Sequence, residues 1–218
     1  MKIRSSWLLL AALVCSPLAG VRANLIINPS FESIPGPLMN GGGTWGVFGS
    51  IQGWTSTFGS GIEIQQFAAG SPFDGNRLVE LDSHSNSNMK QLVGTTQGDL
   101  YTLSFMYSPR PGVGAGSNGI SVFWNGSFLD SITASGIGNN DTDWEQHNYL
   151  VSATGDNTWL KFKATGTSDS YGGYLDLVSL EKFSRETPPS PVPEPTTMAL
   201  TGLGLAGLGL VRRKSAKK

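Results

Sequence analysis

Apolar and polar residues alternate with a period of two through nine segments of the chain: 61–67, 77–82, 90–95, 100–107, 119–124, 127–133, 145–153, 158–164 and 173–183. Each segment is bounded by Gly, Asn, Asp or Pro, and no stretch of comparable length repeats at 3.6 residues, so strands are expected throughout and helices nowhere in this region. Tyr101, Leu103, Phe105 and Tyr107 make one large apolar face while Thr102 and Ser104 point the other way. In Trp159-Leu160-Lys161-Phe162-Lys163-Ala164 the pattern sends Leu160, Phe162 and Ala164 inward and both lysines outward. Asn125-Gly126 lies between Val122-Phe123-Trp124 and Phe128-Leu129 and suits a two-residue type I′ turn, because both positions tolerate a positive φ. Eight or nine short alternating strands bury their apolar faces by stacking two antiparallel sheets, so the expected fold is an all-β sandwich of the jelly-roll kind.

Composition agrees and narrows the function. Charged residues make up 14% of the 218-residue chain, against about 25% in an average soluble domain, and there are 29 glycines. The whole-chain charge of −1 hides a segregation: residues 24–187 hold 15 Asp/Glu against 7 Lys/Arg, a net of −8, while the last seven residues carry five positive charges. An acidic body excludes a nucleic-acid backbone as the partner, since that requires a basic face.

Both ends read as addresses. Lys2 and Arg4 precede an apolar run from Trp7 to Val14 and then Val21-Arg22-Ala23, the layout of a secretory signal peptide over residues 1–23 cut after Ala23. The run is too short for a membrane span. Cys15, the sole cysteine, lies within this leader, so the mature chain has no thiol chemistry. After the sandwich at 24–183 comes a stiff Pro-rich linker at 184–195, an uncharged apolar segment at 196–211 with small residues at helical spacing, and a basic tail at 212–218. Arg212, Arg213 and Lys214 form a cytoplasmic membrane stop consistent with the positive-inside rule, and sixteen residues suit a short or transient anchor.

Val192-Pro193-Glu194-Pro195, the apolar stretch and the Arg-rich end together resemble the PEP-CTERM sorting signal of Gram-negative bacteria. The resemblance implies export, transient inner-membrane anchoring, processing by an exosortase-type protease-transpeptidase, and release to the cell surface or extracellular matrix in cells that make exopolysaccharide. The body is similar, in the order of its landmarks, to the galactose-binding-like jelly rolls of carbohydrate-binding modules. The opening Leu25-Ile26-Ile27-Asn28-Pro29-Ser30-Phe31-Glu32 resembles their N-terminal strand, and Gly53-Trp54 their following Gly-Trp. Val79-Glu80-Leu81-Asp82, Gln91-Leu92-Val93 and Gly98 to Phe105 resemble the central strands, and Trp144, Tyr149 and Ala153 a later one. Tyr174-Leu175-Asp176-Leu177-Val178 resembles the closing strand. The resemblance implies a structural Ca²⁺ held by Glu32 and Asp176; Pro29 and Leu177 depart from the family pattern, and Leu177 removes one potential ligand.

The residues themselves supply few reactive groups. Alternation from Val178 and Leu180 puts Asp176 on the core face, where a carboxylate is costly unless paired or bound to a cation. Sugar rings stack on exposed aromatic rings, and the loops that combine such rings with polar neighbours are Tyr107-Ser108-Pro109-Arg110-Pro111 and Tyr171-Gly172-Gly173-Tyr174. Tyr107, Arg110 and Tyr171 are therefore the expected carbohydrate contacts, with Glu80 or Asp82 as acceptors and Trp124 as a strand-end core residue. His84 and His147 lack metal spacing, and there is no G-x-S-x-G elbow. The expected function is non-catalytic binding or organisation of exopolysaccharide. The alternatives are a small polysaccharide hydrolase or lyase using carboxylates such as Glu80 and Asp82, or a structural coat protein without sugar affinity.

Overall fold

A computed structural model describes residues 23–184. The expected leader at 1–22 and the linker, sorting motif, apolar segment and basic tail beyond 184 lie outside the described residues. Among those described, no helix is long and apolar enough to cross a membrane. All nine predicted segments form strands, and three short ones precede them. The elements are β1 (Trp45–Phe48), β2 (Ser50–Ile51), β3 (Trp54–Thr55), β4 (Ile62–Gln65), β5 (Leu78–Glu80), β6 (Asn88–Gly94), β7 (Leu100–Ser108), β8 (Gly119–Trp124), β9 (Ser127–Ile132), β10 (Glu145–Ser152), β11 (Asn157–Thr165) and β12 (Tyr174–Lys182).

They form two antiparallel six-stranded sheets, ordered β1-β4-β5-β12-β7-β10 and β2-β3-β6-β11-β8-β9. The β8–β9 hairpin turns through Asn125 and Gly126 at φ of 48° and 83°, as a type I′ turn requires. Between the sheets, Leu103 and Phe105 of β7 meet Leu160 and Phe162 of β11, all fully buried. An aromatic relay crosses the interior. Phe105 meets Phe162 edge-on with centroids 5.0 Å apart, Phe162 meets Trp54 at 6.0 Å, and Trp54 meets Phe31 at 5.7 Å. Trp124 is a core residue, its indole N–H donating to the Ser152 carbonyl at 2.8 Å.

Two expectations are corrected here. The opening segment is not a strand: Asn28 and Phe31 take positive φ of 54° and 60°, which breaks the extended path. Its ties to β12 run partly through Asn24, whose side-chain carbonyl accepts the Leu180 N–H at 3.0 Å, and through Pro29, whose carbonyl accepts the Val178 N–H at 3.0 Å. Nor does Asp176 share a face with Val178 and Leu180. A bulge between Asp176 and Ser179, with Leu177 at φ 44°, places two residues opposite one and resets the alternation. Val178 and Leu180 remain in the core while Asp176 projects from the outer face of the first sheet.

Candidate functional site

That outer face is built from the polar positions of alternating strands. Glu63 of β4, Glu80 of β5, Tyr174 of β12 and Ser108 of β7 are successive cross-strand partners, and Trp45 of β1 pairs with Gln65 in the neighbouring row. Polar-out positions of a sheet usually meet water; here loops cover them. Glu63 is 6% exposed and Gln65, Glu80 and Tyr174 are buried. The backbone N–H of Gly172 donates to Glu80 Oε1 at 2.6 Å, and the Arg110 guanidinium pairs with Glu80 Oε2. Gln65 joins the two glutamates: its amide nitrogen donates to Glu63 Oε1 at 2.8 Å and to Glu80 Oε2 at 2.5 Å, while its carbonyl accepts the Tyr174 hydroxyl at 3.2 Å.

The electrostatics follow from this burial. Loss of solvation pushes the Glu80 carboxyl well above the usual glutamate range, Arg110 pulls it back, and nearby Glu63 adds to the rise. Burial works against the Arg110 charge, but Glu80, Tyr174 and Glu63 outweigh it and hold its pKa above the ordinary value. The Tyr174 phenol is pushed up chiefly by desolvation.

Above this network lies a cavity of about 540 Å³ whose walls include Trp45, Glu63, Gln65, His84, Arg110 and Tyr171. The Tyr171 ring sits under the Arg110 guanidinium, 4.8 Å from its centroid, and Trp45 meets His84 edge-on at 6.1 Å. Local sequence positions the tryptophan: Gly41 has φ +55°, and a Cβ there would lie 2.8 Å from the Trp45 ring, so only glycine allows both the turn and the ring's seat. The chamber thus offers aromatic rings, a guanidinium with N–H groups beyond the one on Glu80, and the Glu63 carboxylate. Such walls suit a neutral polyhydroxylated ligand.

Of the expected sugar contacts, the fold brings Arg110 and Tyr171 together in this cavity. It does not bring Tyr107, which is 1% exposed in the core, its hydroxyl donating to the Asn118 carbonyl at 3.0 Å and accepting the Ala134 N–H at 3.0 Å. Tyr107 faces inward because its position on β7 has the parity of Leu103 and Phe105, so it only borders a smaller recess beside Trp144. Glu80 and Asp82 lie behind the wall rather than on it. Asp82 is fully buried and accepts the Asp169 N–H at 3.0 Å and the Ser168 hydroxyl at 3.3 Å, holding the loop that carries Tyr171. Trp45, Glu63, Gln65 and His84 were not anticipated.

Glu32 and Asp176 clamp a different place, the loop at 73–77. Glu32 Oε1 accepts the N–H groups of Asn76 and Arg77 at 2.6 and 2.8 Å, and its Oε2 pairs with the Arg77 guanidinium at 3.2 Å. Asp176 Oδ2 accepts Phe73 and Asp74 N–H at 2.8 and 3.0 Å, and Oδ1 that of Leu177 at 2.7 Å. Burial pushes the Asp176 carboxyl up to about 7 against these three donors. Calcium requires six to eight converging oxygens. The two carboxylates here converge on N–H groups and a guanidinium, a donor set that does not fit that ion.

Residues 191–214 match the model described as the PEP-CTERM protein-sorting motif, which marks the chain as an exported protein sorted through a C-terminal signal. Over 162 residues, 71% of the chain, it is 31% identical to the multifunctional-autoprocessing repeats-in-toxin of Vibrio cholerae serotype O1; the chain spans 3% of that protein's length. An arabinose-bound GH51 α-L-arabinofuranosidase has a similar fold at TM-score 0.51 and 16% identity, over 79% of this chain and 28% of that one. A family 16 carbohydrate-binding module aligns at TM-score 0.43 and 16% identity, over 72% of this chain and 99% of its own. The fold is an antiparallel two-sheet β-sandwich of the jelly-roll kind.

Proposed function

We propose that this is a secreted carbohydrate-binding protein that holds a neutral stretch of exopolysaccharide in the Trp45–Tyr171 cavity and performs no chemistry on it. In this reading the leader is removed after Ala23, the 196–211 segment anchors the chain transiently in the inner membrane of a Gram-negative cell, and an exosortase processes it for the surface or matrix. One observation carries the binding role: two aromatic side chains, a guanidinium and a carboxylate line the same cavity of about 540 Å³. Sugars present apolar C–H faces and a rim of hydroxyls, and these walls complement both.

Binding is favoured over hydrolysis because the candidate catalytic carboxylates are buried behind the cavity wall. Glu80 and Asp82 are fully buried, and both oxygens of each accept hydrogen bonds from protein donors. Affinity electrophoresis of the full chain in non-ionic detergent, through gels containing galactan, xylan, glucan or the producing cell's own neutral polysaccharide, tests the proposal. Retardation by at least one of them is expected, with affinity reduced roughly tenfold by Trp45→Ala or Tyr171→Ala. No retardation by any, or retardation unaltered in both variants, contradicts it.

A further inference from the structure

The described residues contain six cationic side chains: Arg77, Lys90, Arg110, Lys161, Lys163 and Lys182. Three of these, Arg77, Arg110 and Lys182, pair with Glu32, Glu80 and Asp99. The other three all project from the outer face of the second sheet, and none of them makes an ion pair among the described residues. The strands that carry and flank them, β6, β8 and β11, contain no Asp or Glu at all. In a body with a net charge of −8 this is a local inversion of sign.

The register shows how the face is laid out. A straight row runs Lys90–Lys161–Phe123–Phe128 across β6, β11, β8 and β9, and Leu92–Trp159 lies beside it. At about 4.8 Å per strand the row is about 14 Å long. Lys90 and Lys161 are direct cross-strand partners, an arrangement that repels. Each ammonium is instead drawn over a different ring: Lys90 lies 4.1 Å from the Trp159 centroid and Lys161 4.0 Å from that of Phe123, while Lys163 lies 5.6 Å from that of Phe58. Phe128 is 61% exposed, Phe58 57%, Leu92 46% and Trp159 38%. Ammonium groups and aromatic rings are therefore neighbours on this sheet face, and none of the three ammonium groups pairs with a carboxylate among the described residues.

We infer that this face is a second binding surface, separate from the cavity, for a carboxylated polysaccharide. Its uronate groups would meet the three ammonium groups, and the apolar faces of its rings would lie on the exposed side chains of Trp159, Phe58 and Phe128. Three cations set among exposed apolar side chains favour such a chain over a phosphate polymer or an anionic bilayer. Those bind through many cations with little intervening apolar contact, whereas this face holds only three cations among apolar side chains.

Polygalacturonate is the probe, in affinity gels with the full chain in non-ionic detergent at low salt. Retardation by polygalacturonate and not by dextran is expected. The triple variant Lys90→Gln, Lys161→Gln, Lys163→Gln should weaken it about tenfold, and the triple Lys→Arg variant should retain it. Trp159→Ala should weaken binding without changing its salt dependence, and Trp45→Ala with Tyr171→Ala should leave it intact, so failure here is distinguishable from failure of the cavity proposal. Unmelted far-ultraviolet circular dichroism checks the fold of each variant. Equal retardation of wild type and triple Gln variant overturns the inference. So does equal or stronger binding to duplex DNA or to phosphatidylglycerol vesicles, or the absence of any polygalacturonate binding.

Discussion

The two sheets share one core and carry like-charged pairs on their outer faces, yet they deal with those pairs in opposite ways. In the first sheet Glu63 and Glu80 are cross-strand partners; Gln65 bridges them, Arg110 pairs with Glu80, and loops shut both away from water. In the second, Lys90 and Lys161 are cross-strand partners left at the surface over separate aromatic rings. The difference teaches where charge acts on folding and where on recognition. A buried charge without its partner is destabilising by several kcal/mol, whereas an exposed one contributes little to stability and remains free to meet a ligand.

The sharpest way to break this comparison is to remove the cation on each side. Arg110→Met leaves Glu80 in a desolvated site, and urea denaturation at pH 8 should show a loss of about 3 kcal/mol. The loss should shrink at pH 5. Because the folded-state pKa of Glu80 lies above its ordinary value of 4.5, the folded protein binds the proton more tightly than the unfolded chain. This contribution to stability is full below pH 4.5 and is lost as pH rises through the folded pKa. Glu80→Gln should flatten that slope. A cost below 1 kcal/mol for Arg110→Met at both pH values would detach Arg110 from the stability of the first sheet.

An intermediate effect is expected at the 73–77 loop. Chelation with EDTA should leave the melting temperature unchanged, while Arg77→Ala should lower stability by about 1 kcal/mol or less, since Glu32 and Arg77 are partly exposed. A melting temperature lowered by EDTA and restored by Ca²⁺ would instead return Glu32 and Asp176 to a metal site. The smallest effect belongs to the second sheet. Lys161→Gln should change stability by no more than about 0.5 kcal/mol, with a gain favoured because repulsion from Lys90 is relieved. A loss comparable to that of Arg110→Met would erase the contrast.

Most of the fold was legible because seven- to nine-residue strands such as β6, β7 and β11 alternate long enough for a period of two to be read. β1, β2 and β3 are two to four residues long and carry no period. The bulge at Leu177 escaped detection because a leucine gives no sign of a positive φ, and the face assigned to Asp176 was therefore wrong. At the candidate site, Arg110 and Tyr171 stood out as a cation and a ring on glycine-rich loops. Glu63 and Gln65 did not, since in Ile62-Glu63-Ile64-Gln65 they read as ordinary solvent-facing positions. Only segments from elsewhere in the chain, those around Trp45, His84, Arg110 and Tyr171, turn that polar edge into a chamber. Gly41 beside Thr44 and Trp45 was the one local trace, a glycine run whose purpose becomes apparent when the indole is seen resting against it.

The central claim is that the two outer faces recognise carbohydrate by separate chemistry. It is tested most directly by one set of affinity gels in which wild type, the Trp45→Ala/Tyr171→Ala variant and the triple Lys→Gln variant migrate through a neutral polysaccharide that retards the wild type and through polygalacturonate. The account predicts a crossed result, with the cavity variant losing only the neutral ligand and the lysine variant only the acidic one. Parallel loss of both ligands in either variant, or loss of neither, would contradict it.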